Sequence, residues 1–321
     1  MKILVTGATG LFGSYLSKKF MGEGEILALK RENRSKGLLD GSDVGITWVE
    51  GDILDPLSLE EAMENVDMVI HSAGMVSFNP GDEDELMKIN VGGTANVVNA
   101  MLAKGVKKLI HVSSVSALGR TAEAKVSDEN TPWIESKLNT PYAISKYQAE
   151  LEVWRGVQEG LEALVVLPTI ILGKISDDRS STQIYHYVLE ESKFYPAGTV
   201  NFIDIRDAVE ITFQLFKKNL WNEKFILNHS AVLYKDFFYT MAKIFGKKAP
   251  SKKVSPFQIR LAIFFIGIGR LLGLTKNPLN RQTAMLSQLS ITMDNQKVQQ
   301  EIHFRYRTLE DSFRWAISNE K

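Results

Sequence analysis

Lys2-Ile3-Leu4-Val5-Thr6-Gly7-Ala8-Thr9-Gly10-Leu11-Phe12-Gly13 decides how the rest of the chain is read. A short apolar run, Lys2–Thr6, ends in glycine-spaced sequence. An amphipathic run follows, with Phe12, Leu16 and Phe20 recurring every four residues and Lys18 and Lys19 turned away. The pattern predicts a strand, a tight turn and a helix. Gly7 permits the turn, Gly10 lets backbone approach a ligand with no Cβ in the way, and Gly13 allows the helix to lie against the strand. Thr9, Leu11 and Phe12 complete the loop. Free N–H groups and the positive dipole end of the helix then face an anion, which suits a dinucleotide pyrophosphate. The spacing is G-x-x-G-x-x-G rather than G-x-G-x-x-G, so its weight comes from the strand before it and the helix after it.

Working outward, the alternation continues. Strands are predicted at Ile26–Leu29, Ile46–Val49, Met68–His71, Lys108–Val112 and Leu164–Leu167, with helices at Leu57–Met63, Glu83–Ala103 and Tyr142–Gln158. Repeated strand–helix units imply an α/β, doubly wound parallel sheet of the Rossmann kind, with ligands at the carboxyl ends of its strands. After Gly173 the rhythm changes. Irregular sequence leads into helix candidates at Val209–Phe216, Lys235–Phe245, Phe257–Leu272 and Leu309–Ile317, and only Lys224–Asn228 reads as a further strand. The expected division is a dinucleotide-binding domain over 1–173, with 201–230 returning to it. A smaller, mainly helical substrate part comprises 174–200 and 231–321.

Composition excludes several classes. The 321 residues are 44% hydrophobic and 24% charged, as in a folded globular protein. Lysine plus arginine (38) balances aspartate plus glutamate (38), giving no electrostatic reason to expect nucleic acid or anionic lipid as the main partner. With no cysteine there is no thiolate catalysis, disulfide or Cys-ligated metal, and no metal site is expected. Met1–Gly7 lacks the apolar region of a signal peptide, and Leu261–Gly269, between Arg260 and Arg270, is too short to cross about 30 Å of hydrocarbon. The apolar helix around Phe257–Leu272 could cap the cleft, serve a dimer interface or rest on a membrane surface; its arginines are sparse, which ranks the membrane surface last. A cytoplasmic setting is expected.

The second predicted strand ends in Lys30-Arg31, followed by Arg34 and Ser35, where an NAD site usually places an acid for the ribose 2′-hydroxyl. These cations favour a 2′-phosphate, so NADP is expected over NAD.

Tyr142 and Lys146 lie four apart at the start of a predicted helix, on one face, so phenol and ammonium can address one ligand. An ammonium and an oxidised nicotinamide both favour phenolate. The fifth strand ends in Ser113-Ser114-Val115-Ser116, and Ser114 is placed to donate to a carbonyl oxygen as charge develops there. Ser113 and Ser116 compete for that role, and at least one of the three is expected to serve strand-end backbone. His71 and His111 read as satisfied core histidines. No G-x-S-x-G elbow is present, which disfavours a hydrolase triad.

Together these segments resemble the extended short-chain dehydrogenase/reductase family, the NAD-dependent epimerase/dehydratase group, over nearly the whole chain. Its further markers are Gly51-Asp52-Ile53, His71-Ser72-Ala73-Gly74, Asn90-Val91-Gly92-Gly93-Thr94, Pro168 with Gly173, Asp294-Asn295-Gln296-Lys297 and Tyr306-Arg307-Thr308-Leu309-Glu310. The resemblance implies that Asp52 and Ile53 flank adenine, and that Ser72, Ala73 and Gly74 pass under the cofactor. It further implies that Asn90 steadies the helix behind the site and that Pro168, Ile170 and Ile171 lie by the nicotinamide. It also implies a homodimer through the helices at Glu83–Ala103 and Tyr142–Gln158.

Sugar-nucleotide epimerases and dehydratases usually carry a tyrosine where this chain has Leu118, and often an arginine where it has Leu167. Ser113–Gly119 and Tyr142–Lys146 with Ala149-Glu150 look more like the dihydroflavonol-reductase-like branch. The leading expectation is an NADPH-dependent reductase of a small-molecule carbonyl. The alternatives are a redox-neutral sugar-nucleotide epimerase or dehydratase, and a non-catalytic NADP-sensing protein. On the substrate side Phe194, Tyr195, Phe202, Tyr234, Phe237, Phe238, Phe257 and Phe264 read mainly as core. Arg179, Arg206 and Arg281 are open candidates for substrate anions.

Overall fold

The computed structural model describes residues 1–321 except 33, 40, 122, 176–182, 272–279 and 319–321. Seven parallel strands form the main sheet: β1 (Lys2–Thr6), β2 (Glu25–Lys30), β3 (Ile46–Glu50), β4 (Met68–His71), β5 (Lys108–Val112), β6 (Glu162–Pro168) and β7 (Glu223–Leu227). Their order is β7-β6-β5-β4-β1-β2-β3. β1 pairs with β2 (Ile3 opposite Ile26) and with β4 (Val5 opposite Ile70), so chain order reverses at β1. A crevice opens at that reversal, outside the strand ends.

Helices cover both faces because the strands between them are buried on both. On one face α1 (Leu11–Phe20) packs against α5 (Ile205–Lys217), Phe20 meeting Phe213 and Phe216 edge-on or tilted. On the other, α2 (Pro56–Ala62), α3 (Gly93–Lys104) and α4 (Pro141–Gln158) bury Leu59, Val97, Val98 and Val153. The seven-stranded α/β architecture is the one the sequence predicts.

Two local readings differ. Glu83–Ala103 is not one α-helix: Glu83–Leu86 is α-helical, Met87–Gly92 is wound as a π-helix, and α3 follows. From Ile170 onward there is more strand than expected. Ile170–Leu172, Thr199–Asp204 and Ser230–Leu233 form a second, three-stranded sheet. It backs a third core in which Phe202, Phe237, Phe238, Tyr185 and Phe313 pack together. Phe257 and Phe264 are not in that core; both are exposed.

Candidate active site

The first turn is built as a cradle. Gly7 has φ +71°, and a Cβ there would stand 2.5 Å from Ala73 N. A Cβ on Gly13 would stand 2.2 Å from Gly7 O. Packing alone therefore requires both glycines. Gly10 is different. Its N–H closes the turn onto Gly7 O at 2.9 Å, and its Cβ direction meets only that oxygen, at 3.3 Å. Gly10 therefore opens onto the space in front of α1, where an anion meets the helix N-terminus. Thr9 is crossed by the next loop: a Cβ on Gly37 (φ +62°) would lie 2.3 Å from Thr9 O. Leu11 and Phe12 are buried beneath. The turn fits a dinucleotide pyrophosphate.

The basic segment after β2 stands beside that turn, but its members differ. Lys30 Nζ reaches Glu50 on the neighbouring strand at 3.3 Å, so its charge is partly answered. Arg31 and Arg34 are exposed. The pairing joins residues twenty apart and was not visible along the chain.

Strand ends β1, β4 and β5 converge on a polar knot. Ser72 N–H donates to Thr6 O, and Ala73 N–H to Thr6 Oγ1. Asn90, in the π-helical turn, is the hub. Its Oδ1 accepts from Met75 N at 2.7 Å, and its Nδ2 donates to Met75 O and to Ser145 Oγ at 2.9 Å. One side chain thus ties the loop after Gly74 to α4. Asp52 caps its own turn through Leu54 N, and buried Ile53 packs against Gly93 of α3. Pro168 closes β6, and Ile170 and Ile171 are half-buried in the strand beyond.

Thr140 and Pro141 set the entry of α4. Thr140 Oγ1 accepts from Ala143 N at 3.1 Å, and proline takes the first helical position, where its missing N–H costs nothing. Tyr142 and Lys146 are thereby fixed one turn apart, both buried. Ser114, at the end of β5, approaches the Tyr142 phenol and favours its ionised form. The other two serines are committed elsewhere: Ser113 Oγ donates to Glu150 at 2.9 Å, and Ser116 Oγ receives Arg120. Ser114 Oγ also accepts from Ser116 N at 3.1 Å, so it is the serine that serves strand-end backbone, and it is the one of the three that acts on the Tyr142 phenol.

Electrostatics at the phenol differ from the sequence expectation. Burial pushes Tyr142 above the ordinary phenol value, and Ser114 and Arg120 oppose it only in part. The cation acting on the phenol is Arg120, not Lys146. Sequence reasoning missed Arg120; its one clue was its place directly after Gly119, one loop beyond the serine strand. The guanidinium is enclosed, its Nε has no partner among the described residues, and burial lowers its basicity. Lys146 donates from Nζ to Val112 O at 2.9 Å. Burial brings it down to about 8, opposed by the Glu150 carboxylate.

His71 is satisfied, as expected. Thr94 Oγ1 donates to Asn90 O, so it accepts from His71 Nε2, and Nδ1 accepts from Thr6 Oγ1 at 2.7 Å. His111 corrects the reading of a satisfied core histidine, because both its ring nitrogens are buried with no partner among the described residues. Burial drives His71 to about 3 and His111 well below its usual value, so both rings are neutral.

Among the substrate-side arginines, Arg179 lies outside the described residues. Arg206 is committed to Asp204 at 2.6 Å and stacks 4.2 Å over Trp315. It borders a cavity of about 870 Å³ between α1, α5 and Phe304–Asp311, which lacks Tyr142, Ser114 and Lys146. Arg281 opens a short helix whose cap, Asn280, donates to Phe78 O; the Phe78 ring lies edge-on to Tyr142 at 5.6 Å.

Residues 3–225 match the family model described as NAD dependent epimerase/dehydratase family. The chain belongs to that family. Within it, sterol demethylase protein B of Methylococcus capsulatus is 27% identical over 262 residues, covering 80% of this chain and 78% of that protein. Cinnamoyl-CoA reductase 1 of Oryza sativa subsp. japonica is 28% identical over 234 residues, covering 67% and 68%. The crystal structure of gox2253 superposes with a TM-score of 0.83 at 27% identity, covering 98% of this chain and 96% of that one. The epimerase/dehydratase family comprises NAD(P)-dependent enzymes, and reductases are among this chain's relatives. Leu118 and Leu167, the two departures from the sugar-nucleotide pattern, are buried apolar core residues.

Proposed function

We propose that the protein is an NADPH-dependent reductase of a small organic aldehyde or ketone. The observation that carries this reading is the approach of Ser114 to Tyr142, two hydroxyls from different elements meeting beside the strand ends. One carbonyl oxygen can receive hydrogen bonds from both. Bound NADPH supplies the hydride that reduces the carbonyl carbon.

Burial keeps the Tyr142 phenol protonated at neutral pH, the state in which it gives its proton to the carbonyl oxygen. Ser114 donates to that oxygen as negative charge grows. Arg120 then steadies the phenolate, and Lys146, with a pKa near 8, is suited to return a proton to it. Lys146 uses one N–H on Val112 O and keeps others for ribose hydroxyls. One carbonyl, one NADPH and one proton give an alcohol and NADP⁺.

The preference for NADPH rests on exposed Arg31 and Arg34 beside the first turn. Buried Leu118 and Leu167 leave no phenol or guanidinium at those two positions for a nucleotide sugar, and cinnamoyl-CoA reductases among the relatives support net reduction. The test is turnover of the purified chain against a panel of aldehydes, ketones and nucleotide sugars. Stoichiometric NADPH oxidation with a carbonyl compound is expected; redox-neutral conversion of a nucleotide sugar would replace the reading with an epimerase.

A further inference from the structure

Residues 237–293 contain nine lysines and arginines and no aspartate or glutamate. The chain as a whole is neutral, so the remainder holds 29 cations against all 38 acids. This one-signed segment contains the helix Pro256–Leu271, ten of whose sixteen residues are apolar. Ser255 and Gln258 cap it reciprocally, Ser255 N donating to Gln258 Oε1 at 2.9 Å and Gln258 N to Ser255 Oγ.

Its exposed residues are apolar as well as polar, Gln258 and Arg260 standing among them. Phe257, Leu261 and Phe264, spaced four and then three apart, form one stripe and are 72%, 45% and 62% exposed. Among the described residues, no other helix or strand packs broadly along this helix. Lys247, Lys248, Lys252 and Lys253 precede it, exposed and without ion pairs among the described residues. Lys252 and Lys253 are held there by pairing with Phe194 and Tyr195. The nearby Glu191 carboxylate accepts the backbone N–H of Lys248.

We infer that this face docks on an anionic lipid bilayer, the aromatic and leucine side chains entering the headgroup boundary and the lysines meeting lipid phosphates. Apolar side chains beside unpaired lysines, with no acid in the segment, are what an interfacial helix needs. A second copy of the chain fits poorly, because a symmetric contact would set one lysine cluster against its twin. As described, this helix is too short to span: sixteen residues reach about 24 Å, short of roughly 30 Å of hydrocarbon. Sparse arginines around Phe257–Leu272 rank membrane-surface binding last on sequence; the lysines before the helix and the missing acids reverse that order.

The test is sedimentation of the full chain with vesicles of phosphatidylcholine alone or with about one-third phosphatidylglycerol. Binding to the anionic vesicles is expected, weakening steeply as salt rises. Replacing the four lysines with glutamine should weaken it by roughly two orders of magnitude or more, at about fivefold per charge near the surface. Phe257→Ser with Leu261→Ser and Phe264→Ser should also release the protein. All these side chains are exposed, so thermal stability and NADPH binding should hold in both variants. Equal binding to neutral and anionic vesicles, or none to either, would overturn the inference. So would a solution dimer that the Phe257→Ser, Leu261→Ser and Phe264→Ser variant abolishes. The readout needs no turnover, so it stands apart from the reductase reading.

Discussion

Arg120 and the Tyr142 phenol are both buried and each favours the other's charged form: the arginine favours phenolate, and the phenolate favours the protonated arginine. In the direction of alcohol oxidation, activity rises as the phenol ionises. Arg120→Met removes the stabilising cation while keeping bulk, so that rise should move to higher pH and oxidation at pH 7 should fall severalfold. A pH–rate profile in the oxidation direction checks it. An unmoved limb would separate Arg120 from the phenol.

Removing the phenol itself is more severe. Tyr142→Phe should lower kcat for carbonyl reduction by about 10²–10⁴-fold, the usual worth of a positioned proton donor. Ser114→Ala should cost about a hundredfold, as for an oxyanion donor. NADPH affinity in both variants should stay close to that of the parent. Full turnover by Tyr142→Phe would remove it from the chemistry.

The sequence made the sheet legible because buried parallel strands must be apolar throughout and the helices between them amphipathic. Lys2–Thr6 and Met68–His71 match residue for residue. The glycine turn was legible for a related reason, since only glycine fits beside Ala73 N at Gly7. What stayed hidden depends on distant partners. Lys30 meets Glu50 across two strands, Arg120 meets Tyr142 through the fold, and the second sheet is assembled from short segments more than twenty residues apart. The π-helical turn at Asn90 was hidden as well, because helical periodicity does not report a one-residue widening.

Lys146 should cost stability at neutral pH. Its folded pKa of about 8 lies below the ordinary value of 10.5. The unfolded chain therefore binds the proton more tightly, and stability rises as pH climbs from about 8 to 10.5. At pH 7 the charged buried lysine costs about 3 kcal/mol. Lys146→Met removes that cost and forfeits a bond to Val112 O of about 1–2 kcal/mol. The variant should be inactive yet about 1–2 kcal/mol more stable in urea at pH 7. A less stable variant would contradict the buried-charge assignment.

His71 and His111 set the acid limit. Both are neutral when folded, His71 down to about pH 3. An unfolded histidine protonates near pH 6.5, so stability is full above that value and falls as pH drops toward 3. Each ring should remove roughly 1.4 kcal/mol per pH unit in that window. His111 makes no hydrogen bond among the described residues, so His111→Phe should roughly halve the acid sensitivity of Tm while leaving Tm at pH 7 nearly unchanged. An identical acid slope would show that other groups carry it.

Cofactor choice should turn on Arg31. Arg31→Glu should weaken NADPH binding about 10–100-fold, the worth of one charge-assisted contact to phosphate, and leave NADH binding nearly untouched. Titration calorimetry with both cofactors measures it. Equal losses for the two would move the 2′-phosphate elsewhere.

The most direct measurement is a crystal structure of the chain with NADPH bound. The expected density places the pyrophosphate over Gly10 and the nicotinamide between Pro168–Ile171 and Tyr142, with Lys146 on the ribose hydroxyls and Ser114 beside the phenol. A nicotinamide ring bound away from Tyr142, or a pyrophosphate away from the first turn, would contradict the assignment of this site to hydride chemistry.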